Sequence, residues 1–149
     1  MRIYLAGPLF TAAEWHWNSQ LADVLRAAGH EVFLPQEHAE KYLDETGQIT
    51  DPSSLFGDNV SEIDDAQAVL AILDGADVDS GTAWEVGYAV AKNKLIVGLR
   101  TDLRRSGDTE DDLNLMLAQS LNKRLLLRNP GLSIQSLGEQ LAEVLKNSG

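Results

Sequence analysis

Cysteine is absent from the 149 residues. Disulfides and thiolate chemistry are therefore excluded, and a cytoplasmic setting is expected. No apolar run approaches the ~20 residues of a membrane span. The N-terminal stretch is too short, and too polar beyond Gly7, to be a signal peptide. Positive charge is also scarce. Twelve Lys and Arg stand against 23 Asp and Glu, and the net charge of −11 opposes binding to nucleic acid or an anionic membrane. The Arg104-Arg105 pair is too small and too surrounded by acid (Asp102, Asp108, Glu110, Asp111, Asp112) to act as a nucleic-acid patch.

Several catalytic signatures are missing as well. Neither G-x-G-x-x-G nor G-x-x-x-x-G-K-[ST] occurs, so no phosphate cradle is evident. Ser80, in Asp79-Ser80-Gly81, does not fit a G-x-S-x-G elbow. His16, His30 and His38 show no metal-ligand spacing, although His38 lies in a polar loop that is itself a functional candidate. Trp15 and Trp17 read as packing or subunit-contact residues.

What remains is a chain with 44% apolar residues, enough for one folded domain over residues 1–149. Arg2 to Leu5 reads as a buried strand closed by Gly7-Pro8. Thr11-Ala-Ala-Glu14 has capping-box spacing and predicts a helix to about Ala28, with Gly29 after it. Glu31 to Leu34 is a second strand stopped by Pro35. Gln36 to Thr50 is long for a connection in a compact domain, which marks it as a functional loop or a short helix. Asp51-Pro52 opens a further helix to about Ala66. Ala68–Leu73 and Leu95–Leu99 are continuous apolar strands, covered on both faces. A charged loop spans Arg100 to Asp112. Leu113–Leu121 reads as a helix, Lys123–Leu127 as an edge strand and Ser133–Lys146 as a closing amphipathic helix. Strict strand–helix alternation implies a doubly wound parallel α/β sheet. Five strands in the order 2-1-3-4-5 would bring the first turn beside the turn after strand three.

The latter turn begins the most informative stretch, Leu73 to Tyr88 (LDGADVDSGTAWEVGY). An acidic turn runs into a helix that carries Glu85. Thr82-Ala-Trp-Glu85 has capping-box spacing, so Glu85 reads either as a cap or as a carboxylate nucleophile. Both readings predict a lowered pKa. Asp74, Asp77 and Asp79 read as turn or cap residues. Asp79, six residues before Glu85, is also a candidate second carboxylate of the kind glycosidic cleavage needs. Three carboxylates in one loop suit a hard cation, but the EF-hand pattern is absent, so no metal is assigned.

Together the motifs resemble the nucleoside 2-deoxyribosyltransferase family. They are Ile3-Tyr4-Leu5-Ala6-Gly7-Pro8, Asn59-x-x-x-Ile63, Ala68-Val69-Leu70-Ala71, Asp79-Ser-Gly-Thr-Ala-Trp-Glu85-Val-Gly-Tyr-Ala89 and Asn114-Leu115-Met116. The resemblance implies a flavodoxin-like fold and base exchange between 2'-deoxyribonucleosides and free nucleobases, with no cofactor. Glu85 would be the nucleophile at C1', Asp79 would contact the base or shuttle its proton, and Tyr4 would hold the Glu85 carboxylate. Gly7, Pro8 and Phe10 would wall the base pocket. Asn59 stands where the family often has Asp, with Asp58 just before it. Asn114, with Met116 beside it, would reach the 5'-hydroxyl in a neighbouring subunit's site, which implies a homo-oligomer with shared active sites. Asn114, and the lack of Arg or Ser in Gly7–Phe10, favour an unphosphorylated 5'-hydroxyl. If water replaces the acceptor base, the same site is an N-glycosidase. On the same fold, with Glu85 only a cap, the chain would be a nucleoside- or nucleotide-binding module.

Overall fold

The computed structural model describes residues 1–147 apart from 106, 111, 128 and 130. Asp111, counted above among the acids of the charged loop, lies outside the described residues. Five strands form one parallel sheet: β1 (Arg2–Ala6), β2 (Glu31–Phe33), β3 (Ala68–Ile72), β4 (Leu95–Arg100) and β5 (Lys123–Leu126). Their order is β2-β1-β3-β4-β5, as expected, with Tyr4 paired to Phe33 on one side and Val69 on the other. β1 and β3 are neighbours whose connections leave in opposite directions, so the crevice above their carboxyl ends is where a ligand site is expected.

Among the described residues, five helices cover the two faces of the sheet. On one face lie α1 (Ala12–Ala27) and α6 (Ile134–Lys146), whose Leu21, Leu25, Leu137, Leu141 and Leu145 pack on Ile3, Leu5, Leu70 and Val97. On the other lie α3 (Pro52–Asp65), α4 (Ser80–Ala91) and α5 (Leu115–Ser120). Their Ile63, Val86, Ala89 and Leu117 pack on Tyr4, Val69, Ala71 and Ile96. Each fully buried Leu or Ile contributes roughly 1.5–3 kcal/mol of transfer free energy, so these two apolar layers supply most of the driving force. Helix starts follow from the sequence. Thr11 and Glu14 close a reciprocal capping box, Asp51 caps α3 through the Ser54 amide, and Ser133 caps α6.

Two sequence expectations change, and a third, for the long polar loop, resolves to its short-helix alternative. Leu34 is not in β2; it precedes a short helix, α2 (Pro35–Ala39), because Pro35 has no amide to add to a ladder but suits the first turn of a helix. The long polar loop is largely ordered, as α2, one 3-10 turn (Glu40–Tyr42) and an antiparallel bridge between Leu43 and Ile49. Asp44 closes that bridge by accepting from the Thr46 and Gln48 amides. Arg100 does not begin an exposed loop. It ends β4 and is 1% exposed.

Candidate active site

Tyr4 lies on β1 with its side chain on the α3/α4 face, fully buried. Its hydroxyl donates to Glu85 Oε1 at 2.5 Å. Glu85 is the sixth residue of α4, more than a turn beyond the helix start. This overturns the capping-box reading centred on Thr82. The helix is instead capped by Asp79, whose Oδ2 accepts from the Thr82 amide (2.9 Å) and hydroxyl (3.1 Å). Aspartate is the stronger N-cap, so the helix begins three residues earlier and Glu85 points at β1 rather than at its own first amides.

The expected pKa direction is overturned too. Burial pushes the Glu85 carboxyl up; the Tyr4 hydrogen bond pulls it down and the Asp79 charge pushes it up again, and the carboxyl settles at about 7. The helix terminus does not hold it ionised because the dipole effect fades beyond the first turn. Burial first, then the charge and hydrogen bond of Glu85, raise the Tyr4 pKa in turn, so Tyr4 stays a neutral donor. A half-buried carboxyl that titrates near neutrality, beside a fixed donor and a second carboxylate, is suited to nucleophilic or proton-transfer chemistry.

The Tyr4 ring extends this site sideways. It stacks on Phe33 (centroids 5.5 Å, 16°), which stacks on the exposed His38 of α2 (4.3 Å, 20°). Phe33 is a site neighbour that sequence reasoning missed, since nothing in Glu-Val-Phe marks it apart from any strand aromatic. His38, singled out for its loop, sits at the far end of this stack.

The other candidate residues fall into separate groups. Gly7 ends the first strand where a Cβ would lie 3.1 Å from the Ile72 side chain, so a glycine permits the close approach of β1 and β3. Pro8 presents its carbonyl to Asn18 (2.9 Å). Phe10 is 75% exposed and lines an open groove of about 540 Å³ with Trp15, His16 and Ser19. Asn59 is on α3, and its buried Oδ1 has no hydrogen-bond partner among the described residues. Asp58 accepts from Lys41 Nζ (2.7 Å) and Tyr42 OH (2.6 Å), tying α3 to the 3-10 turn; Lys41 and Tyr42 lower its pKa. Asn114 caps α5 by accepting from the Met116 amide. With Met116 it lines a groove of about 430 Å³ between α4 and α5 that also takes in Asp77, Ser80 and Gly87. Neither Tyr4 nor Glu85 lines that groove.

The three turn aspartates diverge. Asp74 bonds to Thr101 and Asp102, Asp77 to the Val78 amide and Asp79 to Thr82. No group of His, Asp or Glu among the described residues is arranged to hold a metal ion. No helix among them is long and apolar enough to cross a membrane.

Comparison with known proteins fits this geometry. Residues 3–119 match the family model described as nucleoside 2-deoxyribosyltransferase. An uncharacterized protein of Ureaplasma parvum serovar 3 is 33% identical over 130 residues, covering 78% of this chain and 80% of that protein. A conserved protein from Enterococcus faecalis V583 has a crystal structure that superposes with a TM-score of 0.77 at 26% identity, covering 100% of this chain and 99% of that one. The 2-deoxyribosyltransferase from the psychrotolerant bacterium Bacillus psychrosaccharolyticus gives a TM-score of 0.72 at 27% identity, covering 93% and 90% of the two chains. With its five-stranded flavodoxin-like sheet and this match over most of its length, the chain belongs to the nucleoside 2-deoxyribosyltransferase family, and it is an enzyme acting on nucleosides, as transferase or glycosidase.

Proposed function

We propose that this enzyme transfers 2-deoxyribose between nucleobases through a covalent ester on Glu85. The observation that carries the reading is the Tyr4–Glu85 pair: a half-buried carboxyl held at 2.5 Å by a tyrosine and poised near neutrality, with Asp79 capping the same helix. Tyr4 occupies Oε1, which leaves Oε2 to attack C1'. The C1'–N bond breaks, its electron pair stays on the base nitrogen, and that nitrogen takes a proton. That proton is the one Glu85 gives up as it ionises, relayed by Asp79; both cap bonds of Asp79 fall on Oδ2, so Oδ1 is the oxygen that serves the base. An incoming base then attacks C1' from the vacated side, and its N–H proton returns through Asp79. The ester breaks, the Glu85 carboxylate is restored, and two inversions give net retention. The missing 2'-hydroxyl makes the oxocarbenium-like transition state easier to reach, so the residues at hand suffice without metal or cofactor. Water in place of the second base would make the same site a hydrolase.

On this reading Phe10 and the Gly7-Pro8 turn wall the base side, and Asn59 on α3, with its buried and unpartnered Oδ1, is a further candidate contact for the base. Asn114 and Met116 lie in a groove that excludes Glu85, and Met116 is 75% exposed. That separation supports a homo-oligomer in which these two residues complete the site of a neighbouring copy. The test is to incubate the protein with deoxyinosine and free adenine and to separate the products. New deoxyadenosine is the expected result. Hypoxanthine without deoxyadenosine would mean hydrolysis, and binding without either product would leave a nucleoside-binding module.

A further inference from the structure

We infer that Asp74, Arg100 and Asp102 form a clamp that positions the β3–α4 turn, and through it Asp79 and the Glu85 helix, for the reaction. This rests on the reading of Glu85 and Asp79 given above, and it assigns a role to residues that touch neither.

The turn between β3 and α4 runs from Leu73 to Asp79. Leu73 extends the ladder by donating to the Leu99 carbonyl at 2.8 Å. Beyond it, three side chains tie the turn to the end of β4. Asp74 accepts from the Thr101 amide (2.5 Å), the Thr101 hydroxyl (2.6 Å) and the Asp102 amide (2.8 Å). Asp102 returns the tie by accepting from the Gly75 amide at 2.8 Å, and Arg104 holds its carboxyl well below the usual carboxylate range. Arg100 donates to the carbonyls of Leu73, Gly75 and Arg104 while only 1% exposed. Gly75 adopts φ +122, and a Cβ there would lie 2.6 Å from the Asp77 carbonyl oxygen, so the turn has one tight path.

Burying an arginine is expensive unless charge-assisted hydrogen bonds compensate. A sheet end could be closed with far less. What lies downstream explains the investment: four residues past Gly75, Asp79 caps α4, and its charge acts on Glu85. Two carboxylates that repel each other drift apart unless the backbone carrying one is fixed. The clamp fixes it, so that Asp79 stays where the leaving base needs its proton.

Two mild variants test this, because removing Arg100 outright would threaten the fold. Thr101→Val deletes one bond to Asp74 at nearly constant shape. Asp102→Asn keeps an acceptor for the Gly75 amide but weakens the Arg104 pair. The first readout needs no turnover: the side-chain carboxyl carbon of Glu85 is titrated by NMR. Both variants are expected to titrate at lower pH than the parent protein, as Asp79 moves off and water enters. Asp79→Asn should lower the midpoint of the parent, yet add little in the Asp102→Asn background, since coupled residues are not additive. The second readout is kinetic: kcat falls about tenfold while KM changes less, the mark of lost positioning rather than lost binding. A lower melting temperature with an unmoved Glu85 midpoint and unmoved kcat would show a structural staple and overturn the proposal. If no protein turns over but the midpoint moves as described, the clamp stands and the transfer reading falls.

Discussion

The two faces of the sheet are built from the same strands and hold different things. Along β1, Ile3 and Leu5 face α1 and α6, while Tyr4 and Ala6 face α3 and α4. The first layer is closed by aliphatic side chains, with three leucines of α6 at its centre. The second mixes aliphatics with Tyr4 and Phe33, and Tyr4 carries the buried bond to Glu85. Strand alternation thus lets one five-residue segment feed an aliphatic layer on one side and place Tyr4 against Glu85 on the other. The lesson is that the two can be damaged separately. Substitutions facing α6 should cost stability and spare activity; substitutions at the Tyr4–Glu85 pair should do the reverse.

The largest effect should come from the reactive side. Glu85→Ala removes the proposed nucleophile, and base exchange is expected to fall by about 10⁴-fold or more. The melting temperature should hold or rise, because a half-buried carboxyl that resists ionisation is removed. Assays of exchange and thermal unfolding on the same sample check both halves; full activity would falsify the assignment. On the opposite face, Leu141 is fully buried between α1 and the sheet. Leu141→Ala should lower unfolding free energy by about 2–5 kcal/mol, measured by urea titration, while kcat/KM of the folded fraction stays within about twofold.

The sequence made much of this division visible. Thr11, Asp51 and Ser133 mark helix starts by local chemistry, and strand–helix alternation marks a doubly wound parallel sheet, whose order follows once it is taken as flavodoxin-like. Asp79 and Glu85 stand out because their motif is dense and specific, whereas Tyr4 sits in a weaker one. What was hidden depends on contacts far apart in the chain. Tyr4 and Glu85 are 81 residues apart, so local spacing could not show that Glu85 is half-buried against β1 rather than dipole-stabilised. Thr82 and Asp79 both have capping side chains, and only the geometry of the turn decides between them. Arg100 follows an apolar strand and precedes a charged loop; its burial comes from carbonyls of another strand's turn. The loop after β2 gains its order from Asp58, on a helix more than a dozen residues later.

A smaller effect sharpens the contrast through pH. The folded Glu85 carboxyl titrates at about 7, against an ordinary 4.5. The folded state therefore keeps a proton that the unfolded chain has already released. The stability this brings is complete below about pH 4.5 and is lost as pH rises through about 7. Allowing for the partial exposure of Glu85, the loss is on the order of 2 kcal/mol. Glu85→Gln keeps an acceptor for Tyr4 and cannot ionise. Its unfolding free energy should run flat where that of the parent protein declines, so the gap between them widens from pH 5 to pH 8. Parallel curves from denaturant titrations at the two pH values would mean that Glu85 is better solvated than its surroundings imply. No such divergence is expected for Leu141→Ala.

The most delicate test is Tyr4→Phe. It removes one oxygen and leaves the ring, so the stack on Phe33 and the packing against Val69 and Val86 should survive. The Tyr4 hydroxyl lowers the Glu85 pKa, opposing burial. Without it the carboxyl should titrate above 7, and less of the nucleophile is ionised at neutral pH. Exchange at pH 7 should then fall about tenfold, a loss near 1.4 kcal/mol of the kind a single hydrogen bond to a charged group supplies. Part of the loss should return on raising the pH, because more carboxylate forms. The acid limb of kcat/KM against pH therefore moves up in Tyr4→Phe and stays in place in Leu141→Ala. If the limb holds while the rate falls evenly at every pH, Tyr4 orients the carboxylate without tuning it. In that case burial and the Asp79 charge alone set where Glu85 ionises.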